Sequence, residues 1–229
     1  MRRLLIARHG QSIWNQESKF TGWTNIPLNR AGKIEAISMG RMLNYYRLSP
    51  TIIYSSIMHR AVDTSSLINS ELNNKAEIRS DWRLNEKHYG TLEGVSRNYI
   101  KKEYGQKFTH LLRNNFYIKP PVIPEKDRVH TKYSIYKNCY YKKIKNGESK
   151  ENVLNRLLPY FENDILYNIN NCHMPLVVTH KHCLRVLMKN YLKLNDEEFE
   201  NYKLPKNSFL VMNFDDKLIF KSHKFISIQ

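Results

Sequence analysis

Leu4-Leu5-Ile6-Ala7-Arg8-His9-Gly10 is the stretch that decides the fold. Four consecutive apolar residues this close to the N-terminus predict a short strand buried on both faces, as in a parallel sheet covered by helices. Arg8 and His9 fall where that strand ends and a glycine turn begins. In open α/β sheets, ligands bind outside the carboxyl ends of the strands. A neutral imidazole there can attack phosphorus, and a neighbouring guanidinium can fork onto two phosphoryl oxygens. Taken alone, the tripeptide suits a surface turn equally well.

The rest of the chain bears on that choice. Its 229 residues suffice for one α/β core and not for two enzyme domains. A single domain over residues 1–229 is therefore expected. The net charge of +16 attracts anions, whether phosphorylated metabolites, nucleic acid or acidic surfaces, although solvated lysines account for much of it. Cys139, Cys172 and Cys183 are odd in number and lack zinc-type spacing, so neither a disulfide framework nor a metal site is expected. No apolar run approaches membrane-spanning length, and a strand at the very N-terminus leaves no room for a signal peptide. The expectation is a cytoplasmic protein with no membrane partner.

Outward from the first strand, Gln16 to Thr24 reads as a polar loop, and Asn29 caps a helix from Ala31 to about Tyr46. Thr51–Tyr54 is a second buried strand. Ser55 and Ser56 cap the next helix, Met58–Asn73, which carries His59 and Arg60 in its first turn. Ala76–Arg79 is a weak strand. Residues 82–147 turn irregular, with helical pieces at 98–104 and 106–114, and read as an insertion over the functional edge of the sheet. Within it, the Lys- and Arg-dense part from 119 to 150 interleaves Tyr133, Tyr136, Tyr140 and Tyr141. Such a segment suits single-stranded nucleic acid, but a solvated loop is the plainer reading, so no nucleic-acid partner is expected. A helix over 149–168 follows, bent at Pro159. Pro175–Thr179 is the clearest further core strand, His180 comes directly after it, and a helix occupies 181–191. Strands 208–212 and 218–220 close the chain as a hairpin turning at Asp215-Asp216. Strands alternating with helices predict a three-layer α/β/α sandwich with a mostly parallel central sheet.

Two strands thus end in histidine. If they are neighbours, His9 and His180 converge, Arg8 and Arg60 complete a cationic cup, and helix starts near Ser56 and Lys181 add N–H groups. Fixed cations would then perform the charge neutralisation that a metal performs elsewhere, so no metal is expected.

Arg8-His9-Gly10 with Trp14-Asn15, Phe20-Thr21-Gly22-Trp23, Arg83-Leu84-Asn85-Glu86-Lys87-His88-Tyr89-Gly90 and the late His180 resemble the cofactor-dependent phosphoglycerate mutases of the histidine phosphatase superfamily. The resemblance runs from about Leu4 to Met212. It implies a phosphoglycerate mutase-like fold, a small phosphorylated substrate, and 2,3-bisphosphoglycerate as cofactor if the chain is a mutase. It also implies a homodimer built around the second strand. His9 resembles the phosphorylated nucleophile, and Arg8, Arg60 and His180 the phosphate-pocket residues. Ser12 and Asn15 resemble hydrogen-bonding partners there, and Glu86 the acid–base that protonates the leaving oxygen. Thr21, Gly22, Tyr89, Arg97, Arg113, Lys181 and His182 are the implied substrate contacts. His88 and His59 read as structural, and Trp14, Trp23 and Trp82 as packing.

The chain departs from the family pattern around the rest of the substrate. Arg97 stands where the family has a lysine or similar cation. Arg113-Asn114 replaces paired arginines, and Lys181-His182 replaces the Gly-Asn that follows the second histidine. The chain also stops at Gln229, directly after its last strand, where the mutases carry a mobile tail. A looser site lets water take the phosphoryl group from His9. The expectation is therefore net hydrolysis of small anionic phosphomonoesters. The alternative is 2,3-bisphosphoglycerate-dependent interconversion of 3- and 2-phosphoglycerate, and the third is an inactive basic module binding nucleic acid or another anion.

Overall fold

A computed structural model describes residues 1–121, 147–169 and 174–227. Strand β1 is Arg2–Arg8, followed by a one-turn helix α1 (Ile13–Gln16), α2 (Arg30–Tyr45), β2 (Ile52–Ser55), α3 (His59–Glu71) and β3 (Glu77–Ser80). Next come α4 (Arg97–Asn114), α5 (Lys150–Tyr160), a π-helical turn (Phe161–Ile165) and α6 (Leu166–Ile169). The chain ends through β4 (Pro175–Thr179), α7 (Lys181–Leu192), α8 (Asp196–Asn201), β5 (Ser208–Phe214) and β6 (Phe220–Ser227).

The strands form one sheet in the order β3-β2-β4-β1-β5-β6. Strands β3, β2, β4 and β1 are mutually parallel, and β5 runs against both β1 and β6. Side chains of β1 alternate between the two faces. Leu4 and Ile6 join Val153, Leu157, Leu187 and Phe199 from α5, α7 and α8. Leu5 and Ala7 join Met39, Leu43, Ala61 and Ile68 from α2 and α3. Helices on both faces explain why β1 has no polar alternation. The sandwich predicted above is the fold observed.

Local chemistry sets the element ends. Asn29 caps α2 by accepting from the Gly32 N–H (2.8 Å), and Ser149 caps α5 reciprocally with Asn152. Gly105, at φ 84°, divides α4 into the two pieces expected, because a left-handed residue cannot continue a right-handed helix. Pro159 does not break the helix that contains it. The chain widens into the π-turn immediately afterwards and then resumes as α6.

Other expectations are corrected. Residues 192–207, unassigned from the sequence, contain α8, opened by a capping box between Asn195 and Glu198. The last strand begins at Phe220 and runs to Ser227, while Leu218 sits in the turn at φ 60°. Asp215 Oδ1 accepts from the N–H groups of Lys217 and Ile219 (2.9 Å each), which sets that turn. Polar residues such as Lys221 and Lys224 hide the strand pattern, and an edge strand tolerates them. Neither Ser55 nor Ser56 caps α3, whose N-cap is Met58. Tyr133, Tyr136, Tyr140, Tyr141, Cys139 and Cys172 lie outside the described residues. Among the described residues, no helix is long and apolar enough to cross a membrane.

Candidate active site

Strand pairing brings the two histidines together. In the β1–β4 register Arg8 lies opposite Thr179, and the His9 N–H donates to the Thr179 carbonyl (3.0 Å). One residue further on, the rings of His9 and His180 lie 4.8 Å apart between centroids. The glycine after His9 permits the tight approach of this turn to α2. A Cβ on Gly10 would meet the Gly32 carbonyl oxygen at 2.3 Å.

Hydrogen bonds assign the protons on both rings. His9 Nδ1 lies 2.7 Å from the Gly10 carbonyl oxygen. A carbonyl only accepts, so Nδ1 carries the proton and Nε2 keeps its lone pair. Ser56 Oγ donates to Asn85 Oδ1 (2.7 Å) and therefore faces His180 Nε2 (2.9 Å) as acceptor. That places the His180 proton on Nε2 and leaves Nδ1 buried with no partner among the described residues. Burial, then Arg8 and Arg60, hold His9 well below the usual histidine range. Burial, then Arg60 and His9, do the same to His180. Both rings are neutral at pH 7, and His9 Nε2 is available as a nucleophile.

Around them lies a small cavity of about 70 Å³. Its walls include Arg8, His9, Asn15, Thr21, Gly22, Arg60, Glu86, Tyr89, Arg97, Arg113, Lys181 and His182, as well as Lys19 and Phe20. Nearly every residue expected at the site therefore converges there, from five separate segments of chain. His180 is not part of that wall; its ring lies against that of His9. Ser12 is also outside the wall. Its hydroxyl accepts from the Asn15 N–H (3.2 Å) as the cap of α1, while Asn15 Oδ1 accepts from Arg8 (3.2 Å). The lining holds six cationic side chains and one carboxylate. Arg8 Nε and Thr21 Oγ1 are buried without a partner among the described residues, so donors converge on the cavity with no acceptor from those residues to meet them.

The Phe20–Trp23 segment holds Arg60, whose guanidinium donates to the carbonyls of Gly22 (2.7 Å) and Thr24 (3.0 Å). Gly22 adopts φ 52°, and a Cβ there would lie 2.0 Å from Glu93 Oε1. That carboxylate ties the segment to the Glu86 loop, accepting from the N–H groups of Trp23 (2.9 Å) and Tyr89 (3.1 Å).

Glu86 Oε1 accepts from the Lys87 N–H (2.8 Å), the His182 N–H (3.3 Å) and His182 Nδ1 (3.0 Å). Burial pushes this carboxyl up, but the donors from His182 and the Lys87 N–H outweigh it and hold it well below the ordinary range. Glu86 is therefore ionised. A dianionic phosphate arriving beside it would raise its proton affinity. Lys181 is pushed down to about 8, by burial first and then by Arg113 and Arg185.

Sequence reading missed the group that anchors Glu86. Arg156 on α5 donates to the carbonyls of Arg83 (2.7 Å), Asn85 (2.9 Å) and Glu86 (2.9 Å) and pairs with Glu148 (2.7 Å). The signal was an arginine three residues after Val153 and four before Tyr160, on the helix face that is buried. Trp23, expected to pack, also donates from Nε1 to the Glu86 carbonyl (2.6 Å). His88 is structural, its Nδ1 accepting from the Gly90 N–H (2.9 Å). His59 is exposed at the start of α3. Among the described residues, no group of three or more His, Cys, Asp or Glu side chains is arranged to hold a metal ion.

A family model of the histidine phosphatase superfamily (branch 1) matches residues 4–134 and 123–220. The 2,3-bisphosphoglycerate-dependent phosphoglycerate mutase of Wigglesworthia glossinidia brevipalpis is 34% identical over 231 residues, covering 98% of this chain and 97% of that protein. The enzyme of the same name from Elusimicrobium minutum is 34% identical over 220 residues, covering 95% and 89%. The structure of mycobacterial glucosyl-3-phosphoglycerate phosphatase with VO3 superposes with a TM-score of 0.70 at 20% identity, covering 99% and 98% of the two chains. At that identity the likeness speaks for the fold alone. The order of motifs along the chain and the full-length relatives agree: this chain is an enzyme of the histidine phosphatase superfamily and belongs to its cofactor-dependent phosphoglycerate mutase family.

Proposed function

We propose that the protein moves a phosphoryl group between hydroxyl oxygens of a small phosphorylated carboxylic acid through His9, as a 2,3-bisphosphoglycerate-dependent interconversion of 3- and 2-phosphoglycerate. The observation that carries this reading is the surplus of positive charge. One phosphoryl group is served by Arg8, Arg60 and the histidine pair, yet Arg97, Arg113 and Lys181 also line the same cavity. Those three suit a second anionic group on the substrate. The relatives named above carry this activity in their names. The residues at the site also fit the bisphosphate, because its two phosphates and its carboxylate match six cations and the buried donor Arg8 Nε, which has no partner among the described residues. When bound, the bisphosphate supplies the phosphoryl group that loads His9.

In this reading His9 Nε2 attacks phosphorus while Arg8 and Arg60 hold the phosphoryl oxygens. His180, whose Nδ1 has no partner among the described residues, takes a proton as negative charge arrives and becomes a further donor. Glu86 gives a proton to the leaving oxygen and takes one from the accepting hydroxyl, since an alkoxide leaves poorly unprotonated. Enzymes of the superfamily use no metal ion, and the arginines take over the charge neutralisation.

Net hydrolysis is the second reading. It is favoured by a neighbouring chamber of about 400 Å³ that also reaches His9, giving water a route to the phosphohistidine. The test is a product assay on 3-phosphoglycerate with and without 2,3-bisphosphoglycerate. Formation of 2-phosphoglycerate that requires the bisphosphate and outpaces phosphate release is the expected result. Phosphate release as the main outcome would reverse the order of the two readings. Turnover that survives His9→Ala would remove both.

A further inference from the structure

His182 occupies a position where the family pattern has asparagine, and the structure gives it a specific partner. Its Nδ1 lies 3.0 Å from Glu86 Oε1. A carboxylate only accepts, so Nδ1 carries the proton, and burial, which pushes the ring down to about 3, leaves Nε2 unprotonated as the acceptor nitrogen. Nε2 lies 3.4 Å from the Tyr89 hydroxyl, which donates to it, while the Arg113 carbonyl oxygen, 3.3 Å away, is a second acceptor and makes no hydrogen bond with it. The ring is buried, edge-on to Tyr89 with centroids 5.9 Å apart. Together with the Lys87 N–H and its own N–H in the first turn of α7, His182 brings three donors onto Oε1. Among the described residues no hydrogen bond is directed at Oε2, and Glu86 lines the cavity.

We propose that His182 is the positioning residue of Glu86: its ring pins Oε1, so that Oε2 faces the substrate and is the oxygen that exchanges a proton with it. The hydrogen-bond sequence runs from the Tyr89 hydroxyl to Nε2 and from Nδ1–H to the carboxylate. It links the acid–base group to a residue of the cavity wall. Besides Glu86 and Tyr89, the ring is influenced by the cations of Lys87 and Lys150, and by Arg113 at the end of α4. This inference rests on Glu86 being the acid–base group.

Two amides separate the two sides of the ring. The amide nitrogen of His182→Asn falls near the place of Nδ1 and can still donate to Oε1. That of His182→Gln falls near Nε2 and keeps only the Tyr89 and Arg113 side. Turnover is measured on 3-phosphoglycerate, whose alcohol needs a proton to leave, and on 4-nitrophenyl phosphate, whose phenolate does not. For His182→Gln the expected loss is at least about tenfold on the first and less than about threefold on the second, a share of the roughly 10²–10⁴ that general acid catalysis supplies. His182→Asn is expected to recover most of that loss. Equal losses on both substrates, or no rescue by asparagine, would reduce His182 to a packing residue and overturn the proposal. Glu86→Gln is the control. If it shows the substrate split and His182→Gln does not, only this proposal fails. If Glu86→Gln shows no split, the acid–base assignment fails and the proposal with it.

Discussion

Arg156→Met removes a guanidinium that is almost wholly buried together with its partner, their side chains being 9% and 4% exposed. The substitution keeps much of the volume and takes away the charged donors to Glu148, Arg83, Asn85 and Glu86. Removing one member of a buried ion pair costs about 3–5 kcal/mol, because the other charge is left uncompensated. Glu148 keeps one donor, the His88 N–H at 2.9 Å, so the lower half of that range is expected from the pair itself. The three abandoned carbonyls add to it. A total of about 3–5 kcal/mol corresponds to a fall in Tm of roughly 6–20 °C for a chain of this size. Urea denaturation of the single variants and of the double variant Glu148→Gln/Arg156→Met measures it. The double variant no longer buries a lone carboxylate, so it should be less destabilised than the sum of the singles by about 1–2 kcal/mol. A loss below about 1 kcal/mol for Arg156→Met, or strict additivity in the cycle, would refute the view that this pair holds the Glu86 loop in place.

Three further outcomes are expected. His9, His180 and His182 are all held below the ordinary histidine value of 6.5, so below that value the unfolded chain binds more protons than the folded one. Stability should then fall as pH falls, by about 1.4 kcal/mol per pH unit for each ring. Urea midpoints at pH 7.5 and 5.5 test this, and identical midpoints would contradict it. Glu86, held low, acts in the same direction further down, its contribution being lost as pH falls through its folded value. Lys181, at about 8, should lose its charge as pH rises through that value, so KM for 3-phosphoglycerate should climb between pH 7 and 9. Lys181→Met should flatten that climb. Arg113→Met should raise KM for 3-phosphoglycerate at least about tenfold more than KM for 4-nitrophenyl phosphate, as measured by steady-state kinetics, because only the former carries a second anion.

Much of the fold was legible because its signals are local. The apolar run at residues 4–7 and its counterpart at 175–179 could only be strands covered on both faces, and each leads directly into a histidine. Gly105 announced the break in α4. Elements whose stability comes from elsewhere were harder to see. Strand β6 carries lysines and is held as a strand by pairing along β5. Helix α8 is only six residues long and buries Phe199 against the cluster formed by α5 and α7. Ser12 resembles a hydrogen-bonding partner at the phosphate pocket, and only the fold shows that its hydroxyl caps α1.

By itself the amino-acid order determined the layers of the sandwich, the strand ends that carry the chemistry and the family to which the chain belongs, since each is written in short-range periodicity and motif. Only the tertiary structure decided which nitrogen of His9 is free, which oxygen of Glu86 is pinned, and that Arg156 holds the Glu86 backbone and His182 its carboxylate rather than facing the surface. The bond that fixes His9 Nδ1, though made to the neighbouring Gly10 carbonyl, depends on how the turn folds, and the bonds to Glu86 join residues 70 and 96 positions apart. Their donors and acceptors have no pattern along the chain until the sheet and the helices bring them within about 3 Å of one another.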